Sequence, residues 1–357
     1  MPRRSATRSS VVAAHERLFT LPAEARALWW VGPRQAEYRT EPLPRLGPHD
    51  VAVRALASGI SAGTELLVYR GQVPPELALD LPTLAGSFRY PIKYGYASVG
   101  RVLAVGAAVR DLVPGTIVFA LHPHQDYYVV PAHSVTPLPP GLPPEEGVFL
   151  ANLETAVNVV LDATPRLGET VLLSGLGVVG LLILQVLQRS GVEQIITVDP
   201  LPPRRALARR LGVTLALAPE DDLTAEVRAL TAGRGADLAI EVSGAPSALG
   251  AAIEAVADEG TVVVASWYGT KPVTLSLGGH FHRGRVRLVS SQVGRIAPAL
   301  APRWTVERRR AVAQGLLRSL PLAELISHRI PFAEAPTAFA MLELRPESAL
   351  QVVLTYD

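Results

Sequence analysis

The stretch LLSGLGVVGLLILQVLQ, residues 172–188, is almost wholly apolar yet carries glycines at 175, 177 and 180. A membrane span needs about 20 consecutive apolar residues. This run is broken by Gln185 and Gln188, closes on Arg189 and crowds its glycines at one end, so a membrane helix is excluded. The flanks decide what remains. ETVLLS before it has strand character, the residues after the glycines suit a helix stopping near Gly191, and QIITVD reads as a second buried strand ending in Asp199. Strand, Gly175-x-Gly177-x-x-Gly180, helix, strand and acid, in that order, form a dinucleotide-binding unit. Gly175 permits the tight turn, Gly177 lets the backbone approach a pyrophosphate, and Gly180 lets helix and strand pack closely. The helix N-terminus offers free N–H groups and the positive end of its dipole.

The rhythm continues. ADLAIEVSG reads as a strand ending at Gly244, SALGAAIEAVADEG as a helix with a glycine stop, and TVVVAS and VRLVSS as further strands. Apolar strands alternating with helices mean a parallel, doubly wound sheet covered on both faces. Ligands bind beyond the carboxyl ends of such strands, which places Ser243, Gly244, Ser266 and Trp267 near the cofactor. The expected cofactor-binding set is Thr155, Gly175, Leu176, Gly177, Val178, Val179, Gly180, Asp199, Arg204, Ser243, Gly244 and Ser266. Asp199 is placed to accept hydrogen bonds from the adenosine ribose and to repel a 2′-phosphate, so NAD(H) is expected over NADP(H), with Arg204 and Arg205 softening the penalty.

Residues 25–150 have a different texture: short strands (DVAVRALASG, ASVGRVLAVG, GTIVFAL, DYYVVPAHSV) separated by Gly and Pro turns, which reads as a compact antiparallel barrel. The proline cluster PLPPGLPPEEG connects it to the second unit. A chain of 357 residues is long enough for two domains. Lys+Arg 34 against Asp+Glu 32, with arginines scattered apart from Arg308–Arg310, gives no nucleic-acid footprint. With no cysteine, disulfides, thiolate zinc sites, iron–sulfur clusters and cysteine nucleophiles are excluded. The opening MPRRSATRSS is basic and polar without a signal-type apolar stretch after it, so a cytoplasmic chain with a flexible tail over 1–24 is expected.

LPRLGPHDVAVRALASGISAGTELLVYRG, GYASVGRVLAVG, the glycine turn and ISHRIPFAEAPTAFAMLE together resemble the medium-chain dehydrogenase/reductase superfamily over about residues 25–357. The resemblance implies an α/β architecture: a GroES-like antiparallel β-barrel catalytic domain over 25–153, a Rossmann NAD(P)-binding domain over 154–297, and a segment over 298–357 returning to the catalytic domain. It implies an active site in the cleft between them and a homodimer or homotetramer. SGISAGTELLVYRG is most similar to the bacteriochlorophyllide a dehydrogenase-like branch, which oxidises a hydroxyethyl group on a tetrapyrrole with NAD. Zinc-dependent members hold their metal with a Cys, a His–Glu pair after glycine, and a third Cys or acid. Here those positions read Ser61, Gly95-Tyr96-Ala97 and the Ala151–Glu154 stretch, and the structural-zinc lobe is replaced by LHPHQDYYVV.

Zinc needs about three protein ligands in a catalytic site. Hydroxyls are poor ligands at neutral pH, and His122, His124 and Asp126 are explained as well by exposed residues on a barrel loop, so no metal is expected. Without one, Tyr96 is the candidate to donate a proton or, with a depressed pKa, to accept one. Ser61 and Thr64 would relay it and Glu65 or Lys93 would tune it; the competing reading has Tyr96 only filling space. The expected function is a zinc-independent, nicotinamide-dependent oxidoreductase interconverting an alcohol and a ketone or aldehyde, acting on a small molecule away from nucleic acid and membrane. Reduction of activated C=C bonds, and nucleotide binding without catalysis, are the alternatives.

Overall fold

The computed structural model describes residues 21–357. The tail expected over 1–24 lies outside the described residues as far as residue 20, and Glu24 already opens the first strand. In chain order the first unit contains β1 (Glu24–Gly32), β2 (Gln35–Pro42), β3 (Asp50–Ile60), α1 (Thr64–Arg70), β4 (Ala78–Leu81), β5 (Leu84–Ser87), β6 (Ser98–Val105), β7 (Ile117–Ala120), β8 (Tyr127–Pro131) and β9 (Val135–Pro137). α2 (Leu150–Ala163) leads into β10 (Thr170–Ser174), α3 (Val178–Leu187), β11 (Gln194–Val198), α4 (Pro202–Arg210), β12 (Leu215–Leu217), α5 (Leu223–Leu230), β13 (Ala236–Glu241), α6 (Pro246–Ala255), β14 (Val256–Val264) and β15 (Arg287–Ser290). α7 (Val306–Leu317), β16 (Ile326–Pro331), α8 (Ala335–Leu344) and β17 (Gln351–Thr355) follow.

The second unit is a parallel sheet in the order β12-β11-β10-β13-β14-β15. The order reverses at β10, whose neighbours are β11 and β13, so a crevice opens beyond their carboxyl ends. All five residues of β10 are buried, as a strand covered by helices on both faces requires. β15 is an edge strand with every residue exposed. One element differs from its sequence reading. The helix expected through AVADEG stops at Ala255, and Val256 begins a strand. Ala236 pairs Val256 but Leu238 pairs Thr261, so residues 257–260 form a bulge, with Glu259 at φ 61°.

In the first unit β3 is the organiser. It pairs antiparallel with β6, β8 and β17, and register shifts at Ala52/Val53 and Ala55/Ala57 bend it around the barrel. The path β16-β17-β3-β6-β7-β9 joins the C-terminal strands to the barrel. α2 runs unbroken across the boundary expected at 153/154, because its apolar side chains are shared: Leu150, Leu153 and Val157 belong to one core with Val99 and Phe119 of the barrel and Leu173 and Leu181 of the second unit. A second core gathers Trp30, Leu67, Tyr69, Phe339 and Val352. Tyr96 packs against both.

Candidate functional site

The three glycines meet three different surroundings. A Cβ on Gly175, which sits at φ 105°, would lie 2.7 Å from the Ser243 backbone, and one on Gly180 would lie 2.0 Å from the Gly175 carbonyl oxygen. A Cβ on Gly177 would meet only an Arg204 nitrogen at 4.0 Å. Gly175 and Gly180 thus close the turn, while Gly177 faces open space in front of α3, which begins without a side-chain cap. Free N–H groups and a bare backbone are what a pyrophosphate needs, so the residues present fit a dinucleotide. Val178 and Val179 are half-buried at this helix start, whereas Leu176 is fully buried and offers only its N–H, which donates to Asp199 Oδ2 at 2.7 Å.

Asp199 is buried at the end of β11, its Oδ1 accepting from the Leu201 N–H at 2.8 Å. Arg204 stands 3.9 Å from Asp199 Oδ2 and donates to the Pro346 and Ala349 carbonyls; Arg205 donates to the Asp199 carbonyl at 2.7 Å. Burial lowers the Arg204 pKa, and Asp199 offsets part of that. At the ends of β13 and β14 the Ser266 hydroxyl accepts from the Gly244 N–H at 2.8 Å, and the Ser243 N–H and hydroxyl both donate to Glu241. Thr155, half-buried on α2, donates to the Ala151 carbonyl at 3.1 Å. Three participants were not singled out from the sequence. Glu241 is fully buried, Tyr268 donates to its Oε2 at 2.6 Å, and Lys271 donates to the Gly244 carbonyl at 2.9 Å. Burial first, then Glu241, raises the Tyr268 pKa. Only the strand-end position of Glu241 could have flagged this group.

The two units touch beside this crevice. Thr270 N–H donates to the Gln72 carbonyl at 3.1 Å, and the Trp267 ring lies 5.8 Å from that of Phe88. Phe88 leads to Tyr94 at 5.4 Å and Tyr94 to Tyr96 at 6.3 Å. Tyr96 is half-buried, and Ser61 and Thr64 are the hydroxyl residues close enough to its phenol to influence it. Burial, reinforced by Glu65, pushes its phenol up to about 12, and hydrogen bonding to Ser61 and Thr64 pulls it partly back. Of the two states the sequence left open, the depressed pKa is overturned: at neutral pH the Tyr96 phenol is protonated. Glu65 is fully buried and accepts the Ser61 N–H at 3.0 Å. Lys93 does not join this group, because Glu41 and Gln125 hold its ammonium at 2.7 and 2.9 Å.

His122 and His124 are buried, not exposed as the sequence reading had them. The His122 ring stacks on Tyr128 at 3.9 Å, and burial lowers its pKa to about 3. His124 turns to Glu65, 2.8 Å away. Asp126 accepts backbone N–H groups of Arg26 and Tyr127 at 2.8 and 2.7 Å. At the positions that the resemblance matches to the metal ligands of zinc-dependent members, the donors are the Ser61 and Tyr96 hydroxyls and Glu154. Glu154 is paired with Arg309 and Arg310 at 3.7 and 3.4 Å. A phenol held protonated, an aliphatic hydroxyl and a carboxylate already matched by two guanidinium groups do not fit zinc. Among the described residues, no group of three His, Asp or Glu is placed to hold a metal ion, and no helix is long and apolar enough to cross a membrane.

A dinucleotide cradle on a doubly wound sheet, set against a barrel that supplies hydroxyls, defines an oxidoreductase using a nicotinamide cofactor. Comparison with known proteins agrees. The family model described as zinc-binding dehydrogenase matches residues 178–304. The L-threonine 3-dehydrogenase of Pyrococcus horikoshii is 30% identical over 260 residues, 64% of this chain and 72% of that protein. The D-guloside 3-dehydrogenase of Escherichia coli K12 is 26% identical over 86% of this chain and 93% of its own length. The 2-desacetyl-2-hydroxyethyl bacteriochlorophyllide A dehydrogenase of Cereibacter sphaeroides is 28% identical over 91% of this chain and 96% of its own. Two solved structures share the fold: a zinc-binding dehydrogenase from Sinorhizobium meliloti 1021 bound to NADP (TM-score 0.76, 21% identity, 94% of this chain and 100% of that one), and an alcohol dehydrogenase from Escherichia coli CFT073 complexed with NADH (TM-score 0.77, 21% identity, 94% and 100%). The chain belongs to the medium-chain dehydrogenase/reductase superfamily and is an alcohol dehydrogenase-like, NAD(P)-dependent oxidoreductase.

Proposed function

We propose that this oxidoreductase interconverts a secondary alcohol and its ketone without zinc, prefers NAD(H), and uses Tyr96 as its proton-transferring residue. The observation that carries the reading is Tyr96 itself. It packs against both cores, the resemblance matches it to a metal ligand of zinc-dependent members, and Ser61 and Thr64 lie close enough to influence its phenol. A bound nicotinamide supplies the hydride acceptor or donor. The chain's own part is to hold a protonated phenol where charge develops on the carbonyl oxygen and to return that proton through Ser61 and Thr64. The Trp267, Phe88 and Tyr94 rings run in a chain toward Tyr96. The test is turnover of a panel of secondary alcohols with NAD and of the matching ketones with NADH. Activity confined to activated C=C bonds, or tight NADH binding with no turnover of either panel, overturns it. Elemental analysis of the active protein is expected to find far less than one zinc per chain, and loss of activity on chelation, restored by zinc, is the contrary result.

The cofactor preference rests on Asp199. Its carboxylate stands at the cradle, and the nearest cations are engaged elsewhere, Arg204 and Arg205 both donating to backbone carbonyls. A 2′-phosphate would meet a like charge that Arg204, 3.9 Å from Asp199 Oδ2, screens only in part, at a cost of a few kcal/mol or about two decades in affinity. Fluorescence titration is expected to show NADH binding at least about tenfold tighter than NADPH, and Asp199→Ser narrowing the gap. Tighter NADPH binding by the natural chain reverses the assignment.

The same proposal includes a small-molecule substrate, a cytoplasmic setting, the division of the chain at 153/154 and 297/298, and a homodimer or homotetramer. What supports assembly is β15, which ends the sheet among the described residues and exposes Leu288 and Val289.

A further inference from the structure

The two arms of the candidate site meet at one side chain that spacing along the chain did not reveal. Ser61 and Thr64 belong to the start of α1, tied together by the Thr64 N–H donating to Ser61 Oγ at 3.3 Å and by the Ser61 N–H donating to Glu65 Oε1 at 3.0 Å. Tyr96 belongs to the segment before β6. The fully buried His124 touches both. Its Nε2 is 2.8 Å from Glu65 Oε2, and its ring lies so close to Gly95 that a Cβ there would stand 3.1 Å from His124 Cδ2. Gly95, at φ 149°, admits no ordinary side chain, so the imidazole seats directly on the backbone that presents Tyr96.

His124 is itself fixed from behind. Its Nδ1 is 2.7 Å from Ser58 Oγ, and Ser58 Oγ is 2.8 Å from the Tyr356 hydroxyl on the residue after β17. With Glu65 accepting at both oxygens, Nε2–H donates to Glu65, and the Ser58 hydroxyl joins Nδ1 to the Tyr356 hydroxyl. The His124 carbonyl accepts from the Leu28 N–H at 3.0 Å. The other titratable groups around the pair are Tyr94 and Tyr96 before β6 and His122 on its own segment.

We propose that His124 is a positioning residue for the oxidoreductase reaction: by holding Glu65 and Gly95 against one imidazole, it keeps Ser61 and Thr64 opposite the Tyr96 hydroxyl. The proposal rests on the Tyr96 reading above. A misplacement of about 1 Å at a reacting group is enough to slow turnover by up to about 10²-fold.

A mutant cycle tests it on the full chain, with the best-used ketone of the panel and NADH. His124→Gln is expected to lower kcat about tenfold while KM and the NADH dissociation constant stay within about twofold, and to lower it little further once Tyr96→Phe is present, because both changes disable one device. Ser58→Ala, which only loosens His124, is expected to show a smaller loss with the same non-additivity, and it decides the matter if His124→Gln does not fold. His122→Gln, at a buried position that makes no hydrogen bond to Glu65, is expected to leave kcat within about twofold. Loss in Tyr96→Phe alone, or losses that multiply, overturn the role of His124 while leaving the Tyr96 reading intact. Full turnover in Tyr96→Phe overturns that reading, and the proposal with it.

Discussion

Tyr96→Phe is expected to fold, to bind NADH as the natural chain does, and to lose at least about tenfold in kcat. The ring makes the packing contacts, lying against both cores and 6.3 Å from Tyr94, and the substitution keeps it. Only the hydroxyl goes, and a hydrogen bond to a developing alkoxide acts mainly in the transition state, so kcat should suffer more than KM. Proton transfer by a placed group contributes about 10²- to 10⁴-fold. The pH dependence follows from the phenol being pushed up to about 12. Ketone reduction needs the protonated form, which is complete through neutrality, so its rate should stay flat into the alkaline range and fall only as pH approaches 12. Alcohol oxidation needs the hydroxyl to accept a proton, so its rate should climb about tenfold per pH unit over the same range. Tyr96→Phe should abolish that slope. Stopped-flow kinetics in both directions decide the point; unchanged turnover with an unchanged slope would return Tyr96 to a packing role and pass the proton to Ser61 or Thr64.

What could be seen in the sequence was whatever depends on neighbours in the chain. The glycine turn, β10, β11 and β13 show themselves by short-range pattern, because a strand buried on both faces must be apolar throughout. β14 was mistaken at its start: Ala252, Ala255 and Val256 continue a helical spacing, and only the pairing of Val256 with Ala236 makes the last of them a strand residue. His124 shows the harder limit. Its partners Glu65 and Ser58 lie 59 and 66 residues away, and Tyr356 lies 298 residues beyond Ser58. A histidine in a polar loop-like string therefore read as exposed. The partners of Glu154 are equally remote in the chain: only the return of α7 brings Arg309 and Arg310 against it. Tyr96 was found because the resemblance aligned it with a metal ligand, and the sequence left open whether its phenol would be held protonated; its burial decides that.

Gly180→Ala is expected to damage both the fold and the cofactor site, although by helix propensity alone it should help by about 1 kcal/mol. The new methyl would stand 2.0 Å from the Gly175 carbonyl oxygen and 2.9 Å from its carbon, both backbone atoms that no rotamer change can move aside. Relief requires α3 to shift off β10. Yet Leu181, Leu182, Ile183 and Leu184 are fully buried around that helix, and the Gly175 N–H is tied to the Val198 carbonyl at 2.8 Å. Overpacking of this kind costs about 1–3 kcal/mol, occasionally more. At about 2–4 °C per kcal/mol for a domain of this size, Tm should drop by roughly 2–12 °C. The strain falls on the turn whose N–H groups would hold the pyrophosphate, so NADH affinity should fall by more than about tenfold as well. Gly177→Ala separates the two effects: its methyl meets nothing nearer than Arg204 at 4.0 Å, so Tm should hold within about 2 °C, by the same scale, while NADH binding weakens because the methyl occupies the path of the phosphates. Thermal melts and NADH titrations on the pair distinguish packing from ligand approach, and a Gly180→Ala protein with natural Tm and affinity would mean that the turn and helix are not packed as described.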